Sequence, residues 1–295
     1  MRVLQEKALD EMGIIETPVD LSEIISATTE EFEPLTLAEA LKQFALLAHP
    51  GNAEKMRKEA SKPDSLFLSM FSRTYLDSEG KTISVVEGEP MDRSKPSEER
   101  IKAKMGRALQ TLIELIVKAS LEPARRILSR GFTLSERHFR FIVAHSPFIP
   151  RHHEATFALG FARLMQGDCL SAGPILIPQM ENSLRYVLLN SIGDTSKMRD
   201  DLTQEDRSLS ALLDGYRDQL VKIFGEDNVL YIDLIFNHRP GPALRHEFAH
   251  GKIGDQSLSD PVIFYACCFI YFLTCWPLMR SWNEHVAPAI ESGSV

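Results

Sequence analysis

The chain has 295 residues, of which 44% are hydrophobic and 25% are charged, a composition typical of folded globular proteins and too apolar for a disordered one. Asp and Glu outnumber Lys and Arg by 41 to 33, and the resulting net charge of -8 excludes a broad electrostatic grip on nucleic acid. Any contact with RNA must therefore be local, and binding to a DNA duplex is not expected.

The four cysteines form no Cys-x-x-Cys pair, and three of them, Cys267, Cys268 and Cys275, lie in one apolar stretch. Cysteines in such surroundings behave as small hydrophobic residues, so we expect all four to be reduced. Residues 1–13 carry acidic side chains and lack the apolar run of a secretory signal. The expected location is therefore the cytoplasm.

Short helical patterns alternate with turns over about the first 85 residues. One of them opens at Thr36, and the Thr-x-x-Glu spacing to Glu39 predicts a capping box before a helix that continues to Leu47. Residues 86–100 contain two prolines, a glycine and many charges without apolar periodicity. This composition predicts an exposed loop or linker.

From Ile101 onward, apolar residues recur at spacings of three and four almost to the end of the chain, and strand-like alternation is nearly absent. Thr133 and Glu136 have the spacing of a second capping box. The sequence therefore predicts an all-α protein, with an N-terminal helical region over residues 1–145 and a helical bundle over residues 146–295.

Residues 261–279 contain no charged side chain, and their length is close to the roughly 20 residues that cross a bilayer. The segment also holds Thr274, Pro277 and two tyrosines, stands alone in the chain, and has no basic cluster beside it. We therefore predict a buried core or interface helix here, and we do not expect contact with a membrane.

Residues 241–251, Gly-Pro-Ala-Leu-Arg-His-Glu-Phe-Ala-His-Gly, are the strongest candidate for chemistry. Pro242 suits the first turn of a helix and Gly251 suits its end, which predicts a helix of about nine residues that carries an arginine and two histidines. Two different chemistries can be inferred from this pattern.

The first is that of a zinc peptidase. His246-Glu247-x-x-His250 matches the pattern in which two histidines bind zinc and the glutamate between them is the general base. Glu284 is the best available third ligand. However, Gly251 directly follows the pattern and stops a helix that zinc peptidases usually continue, and one short pattern alone is weakly specific. We therefore keep zinc peptidase as the alternative.

The second chemistry rests on Arg245 and His250, which form an Arg-x4-His pair. The chain around them resembles a domain-of-unknown-function family of the HEPN superfamily, which comprises all-helical nucleases and nucleotide-binding proteins and has the signature Arg-Asn-x-x-x-His-Gly. His246 stands where the family usually has asparagine. The resemblance covers roughly the C-terminal half, and its segments are Phe148-Ile149-Pro150 with Glu154, residues 175–185, Phe224-Gly225-Glu226-Asp227, Leu244-Arg245 and Ala249-His250-Gly251.

The resemblance implies metal-independent cleavage of RNA, in which a ribose 2′-hydroxyl attacks the adjacent phosphate, and it implies neither a cofactor nor a metal. Histidine titrates near neutral pH and can move a proton, while an arginine fork can hold a phosphate. His250 is therefore the candidate acid/base and Arg245 the candidate phosphate clamp, with His246 and Glu247 as accessory residues. Because such sites commonly face each other across a dimer, we expect a homodimer.

Interpretations without catalysis stay open. Arg245 and His250 could only balance carboxylates on neighbouring helices, which would leave a catalytically silent RNA-binding module or a non-enzymatic dimerisation scaffold. Glu181 and Arg185 lie four residues apart on one predicted helix and so predict an intrahelical ion pair. We also consider them as accessory residues that orient Arg245 or His250.

Overall fold

The computed structural model describes residues 18–62, 72–76, 81–88, 96–193, 196–198, 204–254 and 260–292. Helices dominate these residues, which confirms the predicted all-α fold. In chain order the α-helices are α1 (Ser22–Phe32), α2 (Leu37–Leu47), α3 (Ala53–Ala60), α4 (Glu98–Ile116), α5 (Glu122–Gly131), α6 (Arg140–His145), α7 (Glu154–Gln166), α8 (Cys169–Leu176), α9 (Gln179–Ile192), α10 (Leu209–Gly215), α11 (Arg217–Phe224), α12 (Glu226–Ile232), α13 (Leu244–Ala249), α14 (Pro261–Cys275) and α15 (Ala287–Glu291).

Several helical runs change their winding along their length. A π-helical segment, Val117–Leu121, joins α4 to α5, and another, Asp233–Asn237, follows α12. Beyond α14, the chain passes through a 3-10 segment, Trp276–Ser281, and a π-helical segment, Trp282–Val286, before α15 begins. Such π segments are often found at functional sites, and Asp233–Asn237 lines the cleft described below.

Helix α14 lies at the centre of the core. Every residue from Val262 to Cys275 is buried, and the helix packs against α2, α4, α7 and α8. Tyr265 and Tyr271 donate hydrogen bonds to the backbone oxygens of Ala48 and Leu41, at 3.2 and 3.3 Å. A helix that is apolar all round is stable only when it is covered on every side. One hydrophobic core therefore joins residues from both halves of the chain.

By length and composition, the helical run Pro261–Glu291 also passes for a membrane span, because its most apolar 18-residue window has a mean hydropathy of 1.9. Inside the protein, 83% of its most apolar window is buried. Buried core helices and membrane spans share this composition, so the run alone does not indicate a membrane. The four cysteines are free, and the three in or beside this window are buried, as the sequence predicts.

One of the two predicted capping boxes is correct. The Thr36 hydroxyl accepts from the backbone N–H of Glu39 at 3.4 Å, and the Glu39 carboxylate accepts from the backbone N–H of Thr36 at 3.0 Å. The box predicted at Thr133 is wrong. The chain turns helical two residues later, at a 3-10 segment that Ser135 caps together with His138, because the imidazole Nδ1 lies 3.1 Å from the backbone nitrogen of Ser135 and replaces a glutamate oxygen.

Two small antiparallel strand pairs interrupt the helices, and only the shorter pair lies after Ile101, where the sequence predicts almost no strands. Strand β1 (Arg73–Leu76) pairs with β2 (Thr82–Val86), and β3 (Lys197–Met198) pairs with β4 (Gln204–Glu205). The alternation in each is too short to stand out from the helical pattern around it.

The loop predicted over residues 86–100 is wrong at both ends. Val86 closes β2 and is buried, and α4 already begins at Glu98. The Ser97 side chain caps this helix by accepting from the backbone N–H of Arg100, and the Arg100 residue is only 1% exposed. Residues 89–95 of the predicted loop lie outside the described residues.

Candidate functional site

A polar cleft with a volume of about 760 Å³ opens between the start of α4 and the chain from α12 to α13. It brings together residues that are far apart in the sequence. Its ionisable lining comprises the cations Arg57, Lys102, Arg217, Arg239 and Arg245, the histidines His238 and His246, and the carboxylates Glu98, Glu99, Glu226 and Asp233.

Helix α13, which carries the candidate catalytic residues, is shorter than predicted. It begins at Leu244 because Ala243 adopts a left-handed backbone conformation, with φ of 43°, so Pro242 does not occupy its first turn. A side chain on Gly241 would place Cβ 2.9 Å from the backbone oxygen of Leu234, so only glycine lets the two segments approach this closely. Gly251 ends the helix with φ of 63°, as predicted.

Arg245 is held by Glu181, the residue that the sequence analysis considers as its orienting partner. The Arg245 Nε donates to Glu181 Oε2 at 2.6 Å, and the Arg185 Nη1 donates to Glu181 Oε1 at 2.6 Å. The backbone N–H of Leu209 adds a third hydrogen bond, of 3.0 Å. Among the described residues, the terminal Nη atoms of Arg245 have no hydrogen-bond partner, and Arg245 lines the cleft.

The charge of Glu181 is stabilised by these contacts. Burial of the carboxyl disfavours its charged form, but the hydrogen bonds from Arg245, Arg185 and the backbone of Leu209 outweigh this effect and lower the pKa of Glu181. An ionised carboxylate is a strong acceptor for a guanidinium, so Arg245 is held in one orientation near neutral pH.

The two histidines of α13 contact each other. Their ring centroids lie 4.3 Å apart and their planes are inclined by 60°. His246 is half-buried and lines the cleft, whereas His250 caps the end of the helix, is exposed, and does not line the cleft. The structure therefore brings Arg245 together with His246 in the cleft, with His250 behind His246.

The pKa of His246 lies below that of an ordinary histidine. Partial burial is the main cause, the positive charges of Arg239 and His250 add to it, and the nearby Glu247 opposes it. His246 is therefore mostly neutral at neutral pH, and a neutral imidazole can accept a proton.

Glu247 and Glu284 do not complete a metal site. The Glu247 carboxylate faces Lys252, with Oε1 4.0 Å from Nζ. Within the part of the chain that the structure describes, no group of three His, Cys, Asp or Glu side chains is placed to hold a metal ion. A catalytic zinc site requires three protein ligands, and among the described residues His246 and His250 have no third ligand beside them.

Sequence analysis missed the floor of the cleft. Asp233, at the start of the π segment, is 4% exposed and lies 2.7 Å from Lys102 Nζ and 3.6 Å from Arg217 Nη1. Its other oxygen accepts from Asn237 Nδ2 at 3.0 Å. The one signal for this network was an isolated carboxylate inside the apolar run VLYIDLIF, since a buried charge needs partners.

His238 is the second residue that the sequence analysis missed. It is 9% exposed, and its Nε2 is buried without a hydrogen-bond partner. Burial, together with the positive charge of Lys102, lowers its pKa to about 4, against the opposing effect of Asp233. His238 is therefore neutral at neutral pH, and it contributes a polar but uncharged side chain to the cleft lining.

Arg239 differs from the other cations of the cleft. Arg57 pairs with Glu98, Arg217 with Glu226 at 2.9 Å, and Lys102 with Asp233. Arg239 is exposed and has no ion-pair partner among the described residues. It therefore adds an uncompensated positive charge to the side of the cleft where Arg245 and His246 lie.

No protein-family model, curated protein or solved structure matches this chain. The function of the cleft must therefore be inferred from its own geometry and from the motifs in the sequence. These two sources meet at α13, where the cleft contains Arg245 and His246.

Proposed function

We propose that the protein is a metal-independent endoribonuclease of the HEPN type that acts in the cleft lined by Arg245 and His246. One observation carries the proposal: Glu181 binds only the Nε of Arg245, and within the described residues nothing else binds its guanidinium fork, in a cleft that also holds a neutral imidazole. A fixed fork suits a phosphate, and a neutral imidazole suits a base. The resemblance of the sequence supports the reaction class.

In the proposed reaction, His246 takes the proton from the ribose 2′-hydroxyl. The 2′-oxygen then attacks phosphorus, the bond to the 5′-oxygen breaks, and the protonated His246 returns its proton to that leaving oxygen. Arg245 and Arg239 stabilise the charge that develops on the phosphate. The products are a 2′,3′-cyclic phosphate and a 5′-hydroxyl. This scheme gives His246 the acid/base role that the sequence assigns to His250, because His246 lines the cleft whereas His250 only contacts the His246 ring.

The competing functions place different demands on the same residues. A silent RNA-binding module needs Arg245 but no proton transfer, and a dimerisation scaffold needs neither. A zinc peptidase needs His246, Glu247, His250 and a third ligand, which the described residues do not bring together. The nuclease is thus the function that the cleft supports best.

The decisive experiment is cleavage of a labelled RNA oligonucleotide by the purified protein in excess EDTA. We expect cleavage to persist, and we expect mass spectrometry to find the cyclic phosphate. Arg245→Ala should lower kcat/KM at least about a hundredfold, because the arginine acts on the transition state. Arg126→Ala is the matched control, since Arg126 is exposed, pairs with Glu122 and lies outside the cleft.

The pH dependence of cleavage tests the base. Because the pKa of His246 is lowered, the rise of kcat/KM with pH should occur below the ordinary titration range of histidine, and His246→Ala should abolish it. Glu247→Gln should leave cleavage within about threefold of wild type, because Glu247 does not touch the substrate in this scheme. RNA that binds but stays intact under all conditions indicates the silent module, and chelator-sensitive cleavage of peptides indicates the zinc enzyme.

We further propose that the protein works in the cytoplasm as a homodimer, in which two copies of α13 share one cleft. Light scattering over micromolar concentrations tests the dimer. A strict monomer that still cleaves RNA would remove the shared cleft from the proposal but keep the single-chain site.

A further inference from the structure

A second groove lies between α3 and α4, on a surface that includes none of the cleft residues. Its volume is about 800 Å³, and Tyr231 and Gly51 contribute to its lining. The backbone N–H of Gly51 donates to the Tyr231 hydroxyl at 2.9 Å, and a Cβ on Gly51 would lie in tight contact with that hydroxyl, at 3.0 Å. This hydrogen bond joins the chain before α3 to helix α12 at one end of the α3–α4 groove.

The two helices present regular faces to this groove. On α4 the lining residues are Lys104, Arg107, Ala108, Thr111 and Leu112, at positions i, i+3, i+4, i+7 and i+8. This spacing forms a single stripe along a helix. The stripe spans about 12 Å, which is the length of two helical turns.

The same spacing recurs on α3, beginning at its N-cap. The lining residues there are Asn52, Lys55, Met56, Glu59 and Ala60. Two stripes of this kind that line one groove can hold a third helix between them, in the manner of helix-in-groove recognition. An occupant of about two turns matches the length of both stripes.

The charge of the groove specifies the chemistry of the occupant. Among the described residues, four cations, Lys55, Lys62, Lys104 and Arg107, line the groove with a single carboxylate, Glu59, in a chain whose net charge is -8. Lys62 pairs with Glu59, but Lys55 and Arg107 are exposed and have no ion-pair partner among the described residues. The rim therefore attracts an anionic partner.

The floor of the groove is aliphatic. Met56 is half-buried, Ala108 is exposed and Leu112 is 37% exposed, whereas Tyr231, the one aromatic residue among the described lining residues, is 1% exposed. Single-stranded RNA is usually bound by exposed aromatic faces on which bases stack, and the described lining of this groove offers none. Apolar side chains at helical spacing fit the floor instead.

We propose that the α3–α4 groove binds a short acidic, amphipathic helix of a partner protein. Leucine-like side chains on one face of that helix pack on Met56, Ala108 and Leu112, and its Asp and Glu side chains pair with Lys55 and Arg107. The α3–α4 groove shares no lining residue with the RNA cleft, so this proposal does not depend on the proposed nuclease activity.

A random 16-residue peptide library displayed on phage, selected against the full-length protein, tests the proposal. Enriched peptides should be acidic, with apolar residues spaced by three and four. Lys55→Glu/Arg107→Glu should weaken binding of the best synthetic peptide at least about tenfold by fluorescence anisotropy, because both attractive charges are reversed. Lys222→Glu, an exposed charge reversal outside the groove, should leave the affinity unchanged.

Leu112→Ser provides a second variant that separates the apolar floor from the charges. It changes an exposed side chain, so the thermal midpoint should stay close to that of wild type while peptide affinity falls severalfold. The absence of enriched peptides, enrichment without acidic residues, or affinities that ignore these variants would overturn the proposal. Loss of RNA or anionic-vesicle binding in the same variants, with no peptide binding, would assign the groove to another ligand and also overturn it.

Discussion

Glu181 and Arg245 are separated by 64 residues in the sequence and joined by a hydrogen bond of 2.6 Å from Arg245 Nε to Glu181 Oε2. The other oxygen of Glu181 accepts from Arg185 at 2.6 Å, so the carboxylate is held between two guanidinium groups. Only one edge of Arg245 is used in this contact. Glu181 Oε2, which binds Arg245, also accepts from the backbone N–H of Leu209, so this oxygen is anchored and the free edge of Arg245 keeps a constant orientation toward the cleft.

Glu181→Gln should leave Arg245 in the cleft but hold its guanidinium group less firmly in one orientation. The neutral amide accepts weaker hydrogen bonds than the carboxylate, so we expect kcat for RNA cleavage to fall about tenfold and KM to change little. The free energy of unfolding should fall by about 1–2 kcal/mol, since hydrogen bonds to a charged group are lost in a partly exposed site. Steady-state kinetics and urea denaturation measure these two effects.

Arg185→Gln is the matched control for this prediction. It removes the other partner of Glu181 and should cost similar stability, but it leaves the bond to Arg245 in place. If Arg185→Gln lowers kcat as much as Glu181→Gln does, Glu181 supports the fold and does not position Arg245.

The fold could be predicted wherever local pattern decides structure. The capping box at Thr36 and the all-round apolar helix α14 both follow from residues that are neighbours in the chain. The start of α4 at Glu98 could not be predicted in the same way. Charged residues there suggested a loop, whereas the Ser97 cap and the burial of Arg100 place them in a helix.

The site was predictable only in part, because some of its contacts join residues that are far apart in the sequence. Segment 241–251 identified Arg245 and His250 as the catalytic pair, with His246 only as an accessory residue, whereas the cleft is lined by Arg245 and His246. Helical spacing identified the pair Glu181 and Arg185. The isolated Asp233 in an apolar run signals a need for a partner, but no local pattern identifies that partner as Lys102, because the ion pair depends on how α4 packs against the π segment. Contacts of this kind, between residues far apart in the sequence, form the cleft, and residue spacing does not predict them.

His238 should make the stability of the protein dependent on pH. Its pKa is about 4 in the folded protein and 6.5 in an ordinary histidine, so between these values the unfolded chain binds a proton that the folded protein does not. The free energy of unfolding should therefore rise with pH from about 4 to 6.5, by at most about 1.4 kcal/mol per pH unit from this residue, and then level off. Urea denaturation at several pH values measures the slope.

His238→Gln should flatten that slope, because glutamine does not titrate. Gly160→Ala should destabilise the protein by a clash with Leu176 and should leave the slope of the free energy of unfolding against pH unchanged. An unchanged slope in His238→Gln would mean that other groups account for the pH dependence.

Gly160 allows helices α7 and α8 to pack closely. A Cβ at this position would lie 2.5 Å from Leu176 Cδ2 and 2.6 Å from Leu176 Cγ, too close for the leucine to accommodate by moving its tip alone. Gly160→Ala should therefore lower the free energy of unfolding by about 1–3 kcal/mol. Gly131→Ala, where no atom lies within 4 Å of the new Cβ, should be neutral or slightly stabilising in the same thermal melts.

We expect the apolar helix α14 to stay in the core of the protein and not to insert into a membrane. All of its residues from Val262 to Cys275 are covered by the surrounding helices, and Tyr265 and Tyr271 satisfy their hydroxyl groups inside the protein. Expressed without detergent, the full chain should stay in the supernatant after high-speed centrifugation. Phe269→Asp buries an unpaired charge in this helix and should unfold the protein. Recovery of the wild-type chain with membranes, released only by detergent, would show that α14 is a membrane anchor.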